Sequence, residues 1–226
     1  MKNMKSIKSQ QSGFTLVEIA IVLVIIGLLL GGILKGQELI NSAKVKSLIT
    51  EMRNIQTQIY GYQDRFKQLP GDDARVVANL GATATLGTGG TSGNGQIEGA
   101  LFPPAAATVE SAVFWQHLRL ANLASGPTLL ADAQYYPLNS NNGRIGVNTA
   151  TTAQLWIATM PTGGTQICLK QMTGRFAKQI DTALDDGVSN TGSVRFTDDA
   201  GAAPGLTATV PTAVDDGALY TVCMVF

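Results

Sequence analysis

Between Phe14 and Phe66 the apolar residues of this chain follow two unlike patterns. From Phe14 to Leu34 they are nearly continuous, FTLVEIAIVLVIIGLLLGGIL, 21 residues with Glu18 as the one charge. At about 1.5 Å per helical residue, such a run crosses the ~30 Å hydrocarbon core of a bilayer. A carboxylate within it is costly to insert and calls for a partner. Farther on, the apolar positions thin to Val45, Leu48, Met52, Ile55, Ile59, Tyr62 and Phe66. Steps of three and four mark one face of a helix. Lys44, Lys46, Glu51, Arg53, Gln56 and Gln63 occupy the opposite face, and no proline precedes Pro70. The two patterns predict a single helix of about 50 residues, roughly 80 Å long. Its first half is apolar all round and its second half carries one stripe for a domain to pack on. Gly27, Gly31, Gly32 and Gly36 are weak points for bending or local unwinding, and in lipid would let neighbouring helices approach closely.

Beyond the helix the pattern shortens. Leu69-Pro70-Gly71-Asp72-Asp73 is a turn signal, with Asp72 and Asp73 read as turn residues. Residues 82–99, rich in Gly, Thr and Asn, predict a long loop with a turn at Asn94-Gly95. A second helix is predicted over 109–123, a mostly irregular stretch over 124–148 and a short helix over 176–184 that ends at Asp185-Asp186-Gly187. Residues 154–158, 165–170, 194–197 and 219–226 are strand candidates, rich in β-branched and aromatic side chains. The fold class expected is α+β, with a long N-terminal helix packed along its amphipathic half against an antiparallel sheet. The division expected is a leader over 1–13, a membrane-spanning half-helix over 14–34, an amphipathic half over 35–67 and a globular head over 68–226.

Charge adds an orientation. The chain has 226 residues and formal net charge +0. Without Lys2, Lys5 and Lys8 of the leader, 13 basic residues face 16 acidic ones, which is no footprint for nucleic acid. A secretory signal carries its small-residue cleavage site after an apolar region of about 7–15 residues. Here the run is longer, and the small residue at the polar-to-apolar boundary, Gly13, lies before it. Basic residues ahead of the run predict a cytoplasmic N-terminus, with everything after Leu34 outside. The two cysteines, Cys168 and Cys223, fall on two predicted strands. An even count in an exported chain favours a disulfide, and two buried free thiols are the alternative.

Candidate chemistry in the head is sparse. His117 has no His or Cys partner nearby in sequence and reads as a surface or satisfied core histidine. Trp115 and Trp156 read as core. Asp181, Asp185 and Asp186 are candidate oxygen ligands for calcium, but their spacing is not that of an EF-hand loop, and a helix end and turn also account for Asp185-Asp186-Gly187. No P-loop is present, no cofactor is implied and no catalytic constellation is evident, so an enzyme is not expected.

Gly13-Phe14-Thr15-Leu16-Val17-Glu18, behind a short basic leader and ahead of the long helix, resembles the type IV pilin superfamily, which includes pilus subunits and the pseudopilins of type II secretion. The blocks LPGDD, GNGQIE, FWQHLRLANL and LDDGVSNTGSVR look like those of large pilin-like chains of Gram-negative bacteria, and the late cysteines resemble the C-terminal disulfide loop of pilins. The resemblance implies a lollipop-shaped subunit. A prepilin peptidase would cut after Gly13 and methylate the new N-terminus at Phe14. Glu18 would pair with the Phe14 amine of a neighbouring subunit. The implied partners are copies of the chain or other pilins, the peptidase and an inner-membrane assembly platform. The implied location is the inner membrane, then a surface pilus or a periplasmic pseudopilus. A pseudopilin or minor pilin is the nearest alternative, and a membrane-anchored periplasmic enzyme or binding protein the competing class.

Overall fold

The computed structural model describes residue 13 and residues 15–199, 209 and 211–226. Positions 1–12 and Phe14, on which the leader and methylation expectations fall, lie outside the described residues. Helix α1 (Leu16–Phe66) is continuous over 51 residues and remains helical at Gly27, Gly31, Gly32 and Gly36. Two units are distinguished, one ending at Ala43 and one running Lys44–Phe226. In the first, no described side chain is buried, and Leu16, Leu28 and Leu34 are 85%, 73% and 67% exposed. That run is long and apolar enough to cross a membrane.

In the second unit, α1 buries Val45, Leu48, Met52, Ile55, Ile59 and Tyr62, the predicted stripe. Three shorter helices follow: α2 (Val76–Leu80), α3 (Glu110–Leu120) and α4 (Gly174–Leu184). Four strands form one antiparallel sheet: β1 (Ile145–Thr149), β2 (Thr165–Thr173), β3 (Val194–Asp198) and β4 (Leu219–Val225), in spatial order β1-β2-β4-β3. The last strand in sequence is therefore an inner strand of the sheet. Side chains alternate between two cores, as a two-residue period requires. Ile167, Leu169, Val222 and Met224 join the α1 stripe, Phe114 and Leu118 in the larger core. Cys168, Cys223 and Val225 point to the other face, beneath Leu101, Leu155, Trp156 and Ile157. Burial on both faces explains why β4 reads as a nearly unbroken apolar run.

Two predicted elements are corrected. Residues 154–158 do not form a strand: Leu155 and Gln154 donate backbone hydrogen bonds to the Thr151 carbonyl, closing a turn that drops Leu155, Trp156 and Ile157 onto the disulfide face. The strand lies instead at Ile145–Thr149, at the end of the stretch expected to be irregular. Gly146 and Asn148 disguise it, since neither favours a strand. Gly146 is needed because a Cβ there would lie 2.5 Å from the Leu101 carbonyl oxygen. Asn148 is buried and accepts a 2.6 Å hydrogen bond from Gln166 across the strand pair.

Both sheet edges are shielded. On β1, Thr149 donates its N–H to the Ile97 carbonyl. On β3, Phe196 exchanges backbone hydrogen bonds with Ser189 and Thr209. Covered edges resist strand-to-strand association of heads.

Candidate functional site

Glu18 is positioned by Thr15, one residue before α1. The Thr15 N–H donates to Glu18 Oε2 at 2.8 Å, and the Thr15 hydroxyl donates to the same oxygen at 2.7 Å. The Glu18 N–H in turn lies 3.3 Å from the Thr15 hydroxyl oxygen. This is a reciprocal capping box, T-x-x-E, which satisfies otherwise unpaired N–H groups and sets a carboxylate against the positive end of the helix. Thr15 was absent from the residues that sequence reasoning selected, although its spacing to Glu18 carries that signature. Gly13 is exposed next to this cap, and a Cβ there would meet nothing within 4 Å among the described residues.

The other selected residues lie in the second unit. Cys168 and Cys223 face one another in register on β2 and β4 and are disulfide-bonded, with Cα atoms 4.1 Å apart. Asp181, Asp185 and Asp186 converge at the C-terminal end of α4, each placing a carboxylate oxygen within 4.8 Å of the others. Asp185 accepts the Val194 N–H, and Asp186 accepts the Val188 N–H and the Thr191 hydroxyl. Asp181 is fully buried, and neither of its oxygens accepts a hydrogen bond among the described residues. Burial first, then the charges of Asp186 and Asp185, push its carboxyl up to about 7, and the nearby Gly187 N–H offsets only part of this.

The head also contains a buried polar assembly around α3. His117 is fully buried; its Nδ1 accepts the Gly71 N–H at 2.9 Å, so Nε2 carries the proton and donates to the Thr85 carbonyl at 2.8 Å. Burial holds its pKa below the usual value. Asp72 and Asp73 are more than turn residues, being almost wholly buried. Asp72 accepts N–H groups of Gly93, Asn94 and Gly95, which closes the glycine-rich loop. Asp73 accepts the Tyr62 hydroxyl at 2.8 Å, the Arg75 N–H and the Asn79 amide, tying the loop to α1. These groups are saturated by one another, which makes them organisers of the head.

Glu110, which sequence reasoning passed over, is fully buried at the start of α3. Oε2 accepts the Glu98 N–H at 2.8 Å, and Oε1 has no partner among the described residues. Burial, with smaller contributions from Asp72 and Glu98, raises its pKa from 4.5 to about 7. Between those values the folded chain holds a proton that the unfolded chain has released, so stability falls as pH rises from about 4.5 to 7. The expected loss is on the order of 2–3 kcal/mol. Urea unfolding at pH 5 and pH 8 reads it together with the loss from Asp181, which is raised over the same range. Glu110→Gln should reduce the difference by about 2 kcal/mol; an unchanged difference in that variant would show that Glu110 does not titrate in the folded range.

Residues 8–34 match the family model described as the prokaryotic N-terminal methylation motif. No curated protein matches the chain. The motif is the precursor signature of type IV pilins and pseudopilins, and in this chain its match spans the Gly13-Phe14 junction, the capping box and the apolar run.

Proposed function

We propose that the chain is the precursor of a structural subunit of a type IV pilus-like filament. A prepilin peptidase cuts it after Gly13 and methylates Phe14, and the subunit assembles through residues 14–34. The leader is 1–13, the second half-helix 35–67 and the head 68–226. Before assembly the apolar half sits in the inner membrane, with the N-terminus cytoplasmic and the head periplasmic. An assembly platform in that membrane then moves it into a filament built with copies of itself or other pilins. Pilus subunits, minor pilins and pseudopilins all share this route.

The observation that carries the reading is the methylation motif at 8–34, set directly on a helix whose apolar half is unburied. Two features support it. A Cβ added at Gly27, Gly31, Gly32 or Gly36 would meet nothing within 4 Å among the described residues beyond the helix's own backbone. Each glycine costs about 1 kcal/mol of helix stability relative to alanine, so close approach of other helices is the use that accounts for them. Among the described residues Glu18 also has a partner only through its cap, and the cut after Gly13 would place an ammonium in the same apolar layer.

Mass spectrometry of the N-terminal peptide, from cells that possess a prepilin peptidase, tests the reading. The expected peptide begins at Phe14 and is heavier by one methyl group. A chain that still begins at Met1, or an unmodified Phe14, would refute processing by this route.

A further inference from the structure

Three carboxylates close the glycine-rich stretch between Gly87 and Gly99. Asp72 accepts the N–H groups of Gly93, Asn94 and Gly95, and Glu98 accepts the Thr91 N–H at 2.9 Å and the Asn94 amide at 3.2 Å. Glu110 is fully buried against this stretch: its Oε2 takes the Glu98 N–H at 2.8 Å, and its Oε1 has no partner among the described residues. Packing there is tight, since a Cβ on Gly87 would lie 2.5 Å from Glu110 Cγ. The charged groups that face Glu110 are Asp72, from the turn after α1, and Glu98, from the loop, both acidic. No ion pair reaches it among the described residues. On α3 itself, His117 is kept neutral by burial and is spent on the Gly71 N–H and the Thr85 carbonyl, while Arg119 donates to the Ser125 and Pro127 carbonyls.

The same stretch covers the edge of β1. The Ile97 carbonyl accepts the Thr149 N–H at 2.9 Å, the Ile97 N–H donates to the Thr149 hydroxyl at 2.6 Å, and the Gly99 carbonyl accepts the Asn148 amide at 3.1 Å. We propose that a proton on Glu110 latches this cover, so that residues 87–99 lift from the β1 edge when Glu110 ionises. A neutral carboxyl suits the enclosed position. A carboxylate there has one hydrogen bond, no counter-charge and two acidic neighbours, which is costly in a protein interior. Either the whole head opens or one wall of the enclosure does. The loop is the weaker wall: it places one side chain, Ile97, in the larger core, whereas α3 places Phe114, Trp115 and Leu118 there. Local opening is therefore the smaller change. It admits water to both Glu110 oxygens and leaves the Thr149 N–H without its acceptor, baring an edge of the kind that other strands pair with. Between pH 4.5 and about 7 the closed loop keeps a proton that the open loop has released, so opening grows as pH rises through that interval. The latch lies within the head and does not depend on the filament reading.

Hydrogen–deuterium exchange of the full chain in detergent, at pH 5 and pH 8 and corrected for the intrinsic pH dependence of amide exchange, tests the latch. If opening returns Glu110 to an ordinary carboxyl, linkage raises the opening constant roughly 70-fold between these pH values. The expected result is a loss of protection of that order at Gly93, Gly95, Ile97, Glu98 and Thr149, with a far smaller change in β2 and β4. Glu110→Gln keeps the size of the side chain without its charge, and should hold loop protection constant within about threefold. Asp181→Asn removes the other buried acid that is raised over this range and should leave the loop's pH dependence intact. The comparison of loop with sheet amides in the wild type decides without either variant. Equal loop protection at both pH values would overturn the proposal, as would a loss shared equally by β2 and β4, one that persists in Glu110→Gln or one that vanishes in Asp181→Asn.

Discussion

Glu18→Ala is expected to insert in the membrane and be processed at Phe14, yet to yield filaments at less than about a tenth of the wild-type amount, a loss that ~1.4 kcal/mol at each subunit contact already produces. The physical argument begins with the cap. Glu18 Oε2 receives both the N–H and the hydroxyl of Thr15, which fixes the carboxylate at the start of α1. The proposed cleavage after Gly13 would leave the amine of Phe14 one residue from that cap. In a filament core of low dielectric, an ammonium and a carboxylate are each expensive alone and offset one another across a subunit contact. Removing one member leaves the other buried and uncompensated, at a cost of about 3–5 kcal/mol. A misregistered subunit suffers the same penalty, so the pair also sets axial register.

The alanine variant loses half of the capping box as well, worth about 1 kcal/mol. Two further variants separate the contributions. Glu18→Gln retains an acceptor for Thr15 but carries no charge; Thr15→Ala removes the hydroxyl but keeps the charge. Charge pairing predicts that Glu18→Gln assembles as poorly as Glu18→Ala and that Thr15→Ala assembles well. Sheared-filament yield, measured beside membrane-fraction and N-terminal mass controls, reads all three. Wild-type yield from Glu18→Ala or Glu18→Gln would remove the pairing argument.

The helix on which this depends was legible because its signal is long. Six buried positions from Val45 to Tyr62 repeat at three and four, and no proline interrupts them. The β2 and β4 segments were legible for a related reason: burial on both faces forces runs such as Leu219–Val225 that few polar residues dilute. β1 escaped because what holds it is tertiary. Its Asn148 is tolerated only by the bond from Gln166, and its Gly146 only makes sense against the Leu101 carbonyl. Residues 154–158 misled for the converse reason, since apolar side chains that cover one face of a sheet need not belong to a strand.

Among the site residues, the Gly13-to-Glu18 block and the two cysteines were legible as local or countable signals. Thr15 is readable from its spacing to Glu18, the T-x-x-E signature of a capping box, and its hydroxyl positions the carboxylate. The three aspartates were visible as a cluster, but the fact that distinguishes Asp181 from its neighbours is its burial without a partner. No sequence spacing carries that information, because it arises only when α4 turns that face toward the core. Glu110 is the same case at the start of α3.

Replacing both cysteines, Cys168→Ala with Cys223→Ala, is expected to destabilise the head by about 4 kcal/mol, lowering Tm by roughly 10 °C. The bond closes a loop with sequence separation 55. Chain-entropy bookkeeping assigns about 4 kcal/mol to a loop of that length, through restriction of the unfolded chain. Topology decides where this is felt. β4 lies between β2 and β3, so β3 reaches the rest of the sheet only through the last strand of the sequence. Tyr220, Val222 and Met224 enter the larger core from that strand, while Cys223 anchors the smaller one beneath Trp156. Without the cross-link, a chain end that must be captured into the middle of a sheet is held by packing and hydrogen bonds alone. The entropic account makes a second claim: a freer unfolded chain exposes more surface, so the urea m-value of the double variant should rise as its midpoint falls. Urea unfolding of the wild type, oxidised and reduced, and of the double variant measures both. A midpoint unchanged on reduction would show that packing alone holds β4, and a lowered midpoint with an unchanged m-value would place the stabilisation in the folded state instead of the unfolded one.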